Sequence, residues 1–199
     1  HSEKVFIMKR LLLILILTFS FQSLTKADDI RDFEIEGMSI GDSLLKFMSI
    51  EKINNNTFEN YFKDGKKRKY YATGLYGSDE YDQLEIYIKT GDNNFKIKAI
   101  TGFKAISNLK KCLSLKDEIV DKIQSLFMNI ESVSYNDVSH TFDKSGKSKQ
   151  YQTAFLLKNH PSKDHIRVEC TMWSKKMKKE KGFGDTLGIS VFSTETLKW

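Results

Sequence analysis

Apolar and polar residues alternate with a period of two in several parts of the chain. Alternation over 84–89 and again over 95–99 surrounds a turn rich in Gly, Asp and Asn. Two alternating runs on either side of such a turn predict a β-hairpin, and the segment 70–76 predicts a third strand beside it. Further strands are predicted near 32–36, 138–143, 150–157, 165–173 and 186–193. The last two of these show the clearest alternation.

Two segments instead show the helical period of 3.6 residues. In the first, Ser39 and Asp42 form a capping-box pattern, and the apolar residues that follow share one helical face: Ile40, Leu44, Leu45 and Met48. In the second, Ser114 and Asp117 form the same pattern, and a longer apolar stripe follows: Leu115, Ile119, Val120, Ile123, Leu126 and Phe127. The sequence therefore predicts two main amphipathic helices.

The order of these elements predicts the fold class. A helix followed by three or four antiparallel strands occurs twice, in possible halves 28–105 and 106–199. Runs of strands after a helix indicate an α+β fold with one or more antiparallel sheets, rather than alternating β and α units. No repeat of individual residues relates the halves, so we expect one domain over 28–199.

The first 27 residues have the composition of a leader preceded by upstream residues. From Met8, a basic pair precedes an apolar run over 11–21 and a polar stretch that ends at Ala27. This is the layout of a secretory signal peptide. The apolar run is about half of the roughly 20 residues that span a membrane. We therefore expect cleavage after Ala27, a periplasmic or secreted protein, and no transmembrane span after cleavage.

The net charge limits the classes of partner. The whole chain carries +6, and half of that surplus lies within residues 1–27. The remaining +3 is too small to indicate nucleic acid, for which a strongly basic footprint is expected.

Two cysteines remain in the predicted exported domain. Exported domains in oxidising compartments form disulfides readily. Cys170 alternates in step with Ile166 and Val168, which places it on a core-facing side of its strand, and Cys112 precedes the second predicted helix. If that helix covers this strand, the two cysteines meet. The sequence therefore predicts a Cys112–Cys170 disulfide.

The stretch from Phe33 to Leu45 reads F-E-I-E-G-M-S-I-G-D-S-L-L. It resembles the opening of a group of uncharacterised exported proteins from AT-rich bacteria, which implies a periplasmic location and no assigned activity. Gly37-Met38-Ser39 is also similar to a segment of the small lipoprotein of the outer-membrane barrel-assembly machine. There it opens a helix before a short antiparallel sheet, although the lipid-attachment cysteine of that lipoprotein has no counterpart here.

Residues 41–44, Gly-Asp-Ser-Leu, resemble the nucleophile block of the GDSL esterases. That resemblance implies Ser43 as nucleophile and, from blocks similar to those of the family, Asn136, Asp137 and His140 as its partners. The two partner blocks share Asp137, however, and the family has a parallel sheet that needs helical crossovers. The capping box also gives Ser43 an ordinary place in a helix, so the esterase stays the alternative hypothesis.

Two lysine-rich segments, 63–71 and 175–181, lie between predicted strands, where solvated loops are expected. Aromatic residues at their borders favour a contact surface for an anionic partner. The candidate contact residues are Lys66, Lys67, Arg68, Tyr70, Tyr71, Trp173, Lys175, Lys176, Lys178 and Lys179.

His160 and His165 are expected in an exposed loop around Pro161, and because no third ligand lies near them, we expect no metal site. No pattern indicates a cofactor. The leading hypothesis is thus a non-catalytic periplasmic or envelope binding module that contacts an unknown protein or an anionic envelope surface.

Overall fold

The computed structural model describes residues 27–58, 69–78, 80–158 and 163–198. These residues form an eight-stranded antiparallel sheet of strand order β1-β2-β3-β4-β8-β7-β6-β5. Its strands are β1 (Thr57–Phe58), β2 (Tyr70–Tyr76), β3 (Gln83–Lys89), β4 (Ile97–Ala105), β5 (Ile130–Ser139), β6 (Lys149–Leu157), β7 (His165–Met172) and β8 (Thr186–Phe192). Its α-helices are α1 (Ile50–Asn55), α2 (Leu109–Leu126) and α3 (Lys175–Lys181), and 3-10 turns occur at Ile30–Asp32, Leu44–Lys46 and Thr194–Lys198.

The predicted α+β class is confirmed, with strands as its larger part. Strands β1–β4 and β5–β8 each form an antiparallel meander, and β4 pairs with β8 in the middle of the sheet. The two segments therefore build one continuous sheet rather than two separate sheets.

One face of the sheet carries the apolar core. Helix α2 packs on β7 and β8 through a stripe that includes the buried Ile119 and Ile123. Alternate residues of the two strands, among them Val168 and Val191, are fully buried beneath it. Helix α1 lies over the other meander, where Thr73 donates a hydrogen bond to the Ile53 carbonyl (3.1 Å).

Six of the eight predicted strands are confirmed. The strand expected near 32–36 does not form: Ile30–Asp32 is a 3-10 turn, and Ile35 makes an isolated bridge with Met38. Strands β2, β3, β4, β6, β7 and β8 lie where the alternation indicates. The strand expected at 138–143 is instead β5, over Ile130–Ser139, and it is the outermost strand of its meander. No residue of β5 is buried. Apart from Ile130 at its start, this strand does not pack against the core. Its alternation is therefore short, with Val133 and Tyr135 following Ser132 and Ser134 in turn, and does not extend over the whole strand.

The prediction of a helix over 40–48 is wrong. Gly41 has φ +92°, a conformation outside the right-handed helical region. The backbone on both sides pairs with the start of β4 instead: Gly41 N–H donates to the Ile97 carbonyl (2.8 Å), and Leu44 N–H donates to the Phe95 carbonyl (2.9 Å). One hydrogen bond of the capping box does form, from Ser39 N–H to Asp42 Oδ2 (3.2 Å), but only a 3-10 turn follows.

The helix predicted in the second half is confirmed, although it begins earlier than expected. Asn108 is its N-cap, and the Asn108 side chain accepts a hydrogen bond from Lys111 N–H. Ser114, the predicted cap, therefore lies inside α2.

The predicted disulfide is also confirmed. Cys112 and Cys170 are bonded, with their Cα atoms 6.0 Å apart. Both are fully buried, so the bond joins the first turns of α2 to β7 within the core.

The strand register defines two opposite ends of the sheet. The residues at one end, here called the Tyr70 end, are Tyr70, Lys89, Ile97, Phe192 and His165. The residues at the other, called the Trp173 end because Trp173 follows β7 there, are Tyr76, Gln83, Ala105, Thr186, Met172 and Lys149. A strand the length of β4, nine residues, spans about 27 Å between these ends.

Candidate functional site

The predicted esterase residues do not come together. Ser43 lies at the Tyr70 end, where it forms an isolated bridge with Lys96, and its hydroxyl donates a hydrogen bond to the Asn94 carbonyl (2.7 Å). His140 follows β5 at the Trp173 end. The length of the sheet therefore separates the proposed nucleophile from the proposed base, whereas proton transfer between them needs hydrogen-bond contact.

Asn136 and Asp137 occupy a bulge in β5, where the register with β6 shifts between Tyr135 and Val138. Asp137 has φ +56°. Its carboxylate forms an ion pair with Lys149 Nζ (3.5 Å) instead of orienting His140. The Nδ1 atom of His140 accepts a hydrogen bond from Phe142 N–H (3.1 Å), so this nitrogen already has a backbone partner.

The described part of the first lysine-rich segment, residues 69–71, lies at the opposite end of the sheet from the second segment. Lys66, Lys67 and Arg68 lie outside the described residues. Tyr70 is buried, and its hydroxyl donates to the Glu195 carbonyl (3.0 Å), so the ring is not a surface contact. Tyr71 is half-buried. Both tyrosines lie at the start of β2, across the sheet from Trp173.

The second lysine-rich segment is a helix rather than the expected loop. Ser174 caps α3 by accepting a hydrogen bond from Met177 N–H, and Gly182 ends the helix with φ +69°. Met177 is buried beneath the helix. One buried side chain and two good caps hold the helix, and the candidate residues Lys175, Lys176, Lys178 and Lys179 are exposed on it.

The loop 140–148 joins α3 at this end of the sheet through a buried network. Asp143 accepts hydrogen bonds from the hydroxyls of Ser145 (2.6 Å) and Ser148 (2.7 Å). Ser148 Oγ in turn accepts a hydrogen bond from Ser174 N–H (3.0 Å). The Ser145 and Ser148 hydrogen bonds lower the pKa of Asp143 well below its usual value, so the network contains a carboxylate and the loop is fixed against the helix.

A second carboxylate holds the other side of α3. Asp185 accepts a hydrogen bond from Trp173 N–H (2.7 Å) and forms an ion pair with Lys178. These contacts place the Trp173 ring between the loop and the end of the helix.

Four rings follow one another across this surface. The ring centroids of Phe142 and His140 are 5.3 Å apart, those of His140 and Trp173 are 4.2 Å apart, and those of Trp173 and Phe183 are 4.5 Å apart. Phe142 is 46% exposed, and the other three are partly exposed. We call the four rings, the loop 140–148 and the segment 173–185 the aromatic–lysine surface.

The aromatic–lysine surface is strongly basic. Its two segments contain seven lysines and three acidic residues. Asp143 and Asp185 are buried, whereas all seven lysines are exposed. The charge that faces solvent is thus almost entirely positive. Burial first, and then the positive charge of Arg167, lower the pKa of His140 below its usual value, so at neutral pH His140 adds an aromatic ring and no charge.

The histidine near the chain's proline is not in the exposed position expected for it. His165 begins β7 and is 9% exposed, and its ring stacks on Phe192 with centroids 4.8 Å apart. His160 lies outside the described residues. Within the described part of the chain, no three His, Cys, Asp or Glu side chains are grouped as metal ligands would be.

The sequence predicted Trp173 and the lysine segment 175–181 as contact residues and gave His140 a role only in the alternative esterase. Four other members were not predicted: Phe142, Phe183, Lys144 and Lys147. Each lies in a short loop without periodicity, so no pattern marks it. Gly182 and Gly184 on either side of Phe183 indicate a turn, but nothing in the sequence shows which strands the turn lies between.

None of the described helices is long and apolar enough to cross a membrane. Comparison of the chain with protein-family models, curated proteins and solved structures gives no match.

Proposed function

We propose that this chain is an exported, non-catalytic binding module that attaches to anionic phospholipid surfaces through the aromatic–lysine surface. The observation that carries the proposal is the row of four rings beside seven exposed lysines at the Trp173 end. The disulfide supports the export part of the proposal, because such bonds persist in oxidising compartments.

The choice of lysine favours a lipid surface over a specific acidic protein. All seven basic residues of this surface are lysine and none is arginine. Arginine binds carboxylates and phosphates in a bidentate, directional way, whereas lysine acts as a mobile point charge on a flexible stem. Lysines near an anionic membrane each contribute about 1 kcal/mol of attraction without a fixed geometry.

The rings supply the contact that charge alone does not. Aromatic side chains are enriched at membrane interfaces, where an apolar ring meets polar headgroups. Phe142, the most exposed of the four rings, lies at the end of the row and is the one best placed to enter the headgroup region. Because the loop that carries it is fixed to α3, the ring and the charges are presented together.

The test is sedimentation of the protein with vesicles of phosphatidylcholine alone or with added phosphatidylglycerol. We expect binding only to the anionic vesicles and a marked loss as salt rises from about 0.1 M to about 1 M. Reversing Lys175 and Lys176 to Glu should weaken binding at least ~30-fold, because two lysines alone contribute about 2 kcal/mol. Phe142→Ser should weaken it further without changing the fold.

The matched control is a second double variant, in which two lysines at the other end of the sheet are reversed to Glu. Lys89 and Lys96 are exposed at the Tyr70 end, and reversing both to Glu should have a much smaller effect. Equal loss in the two double variants would mean that net charge alone drives binding, and it would contradict the proposed site. Equal binding to the two kinds of vesicle would contradict the proposed partner.

A further inference from the structure

The outer edge of the sheet at β5 is open over an unusual length. Strand β5 has ten residues, of which nine are exposed and none is buried. Among the described strands, the other edge is β1, which has only two residues. An edge strand presents backbone N–H and C=O groups that can pair with another strand, and β5 presents far more of them than β1.

Strand β5 lacks two of the usual protections against such pairing, proline and basic side chains. The segment 130–139 contains no proline and no lysine or arginine. Each of its two acidic residues forms an ion pair with a lysine of the same chain, Glu131 with Lys158 Nζ (3.2 Å) and Asp137 with Lys149 Nζ (3.5 Å). The bulge at Asn136 and Asp137 interrupts the strand, so the regular edge covers residues 130–135.

The side chains of this edge favour strand association. Val133 and Tyr135 are 47% and 49% exposed, and because they are two residues apart they lie on the same face of the sheet. Pairs of aromatic and β-branched residues on neighbouring strands stabilise a sheet. Here both residue types are present and have no further strand beside them in the described structure.

We propose that two copies of this chain associate through antiparallel pairing of their β5 strands. With eight strands from each copy, the result is a continuous sheet of sixteen strands. A twofold axis perpendicular to the sheet keeps each face continuous, so Val133 and Tyr135 of one copy lie beside the same two residues of the other.

A second copy fits this edge better than a charged peptide does. Since the acidic groups of β5 are already paired, the edge offers no unbalanced charge to select a basic or acidic segment. A second β5 strand has the same uninterrupted length, the same polarity on each face and, like the first, no unpaired charge. This interface is separate from the aromatic–lysine surface, and its existence does not depend on the proposed function.

The pairing is expected to be weak and reversible. A six-residue strand contact is smaller than the interfaces of stable dimers. We therefore expect a dissociation constant in the range of about 10 to 100 µM.

The experiment is sedimentation equilibrium of the purified protein at concentrations from about 5 to about 500 µM, a range that brackets the expected dissociation constant. The wild type should pass from monomer to dimer, and amides over 130–135 should exchange more slowly at the high concentration. Val133→Lys and Tyr135→Lys, made separately, should each raise the dissociation constant at least ~10-fold. Each introduces the kind of charge that protects natural edges.

Met128→Lys is the matched control, because Met128 is 59% exposed just before the strand, and it should leave the constant unchanged. A monomer at every concentration would overturn the proposal, and so would a dimer that survives both β5 variants or is lost in the Met128 control. The β5 variants should still bind anionic vesicles, so failure of this proposal and failure of the proposed function are distinguishable.

Discussion

Removing the disulfide should destabilise the protein by about 4 kcal/mol. The bond closes a loop between positions 58 residues apart, and the chain-entropy relation gives about 4 kcal/mol for a loop of this length. The perturbation is the double variant Cys112→Ala/Cys170→Ala. Alanine is preferred to serine because both positions are fully buried, and a buried hydroxyl without a partner would add a cost of its own.

Urea denaturation followed by circular dichroism measures the effect. With a slope of about 2 kcal/mol per M, typical of a domain of this size, the midpoint should fall by about 2 M. Dithiothreitol should lower the wild-type midpoint to a similar extent and should leave the double variant unchanged. Amide exchange should accelerate most in α2, because the bond joins this helix to β7. A loss of stability below about 1 kcal/mol would contradict this prediction, since it would show that the disulfide does not restrict the unfolded chain.

Three further perturbations test the packing and the buried histidine. Gly102→Ala should lower the free energy of unfolding by about 1–3 kcal/mol, measured by thermal denaturation. The added Cβ would overlap the Tyr81 ring and lie 2.8 Å from its Cζ atom; unchanged stability would contradict the described packing. Leu44→Ala should lower the free energy of unfolding by about 2–5 kcal/mol, because Leu44 is fully buried. Leu45→Ala should lower it much less, because Leu45 is 41% exposed; equal losses would support the helix predicted from the sequence, which buries both residues. Burial, and then Arg167's charge, lower the pKa of His165 from 6.5 to about 4. Stability should therefore be full above about pH 6.5 and fall as the pH drops towards 4; the variant H165Q should lose this slope, and an unchanged slope would exclude the histidine as its source.

Local sequence patterns were sufficient to predict a helix or strand wherever one face of that element packs against the core. Strand β3 shows this, because Leu84, Ile86 and Ile88 are buried while the residues between them are not. Burial of one face forces alternation, and alternation is visible in a single sequence. The same reasoning located Cys170 on the inner face of β7 and Cys112 near the start of the helix that covers it. The α+β class and the disulfide were therefore predictable.

Local patterns failed where distant parts of the chain compete for the same backbone. The 40–48 segment has good helical spacing, yet residues 41–44 pair with the start of β4, more than fifty positions away. Helix propensity is a weak preference that tertiary contacts override. The opposite error occurred at α3, where a loop was predicted and a helix forms. Its run of lysines has no apolar periodicity, but Ser174 and Gly182 cap the helix and the buried Met177 anchors it.

The elements with one buried face, the fold class and the cysteine pair follow from the sequence alone, because burial of one side of an element leaves a periodic pattern in the sequence. Which loops share an end of the sheet depends instead on how the strands are ordered in space. The order of strands in space, with β4 beside β8, puts Ser43 and His140 at opposite ends. The same folding places His140, 33 positions before Trp173 in the chain, against its ring. Strand order depends on contacts between residues far apart in the chain, and such contacts leave no period in the sequence.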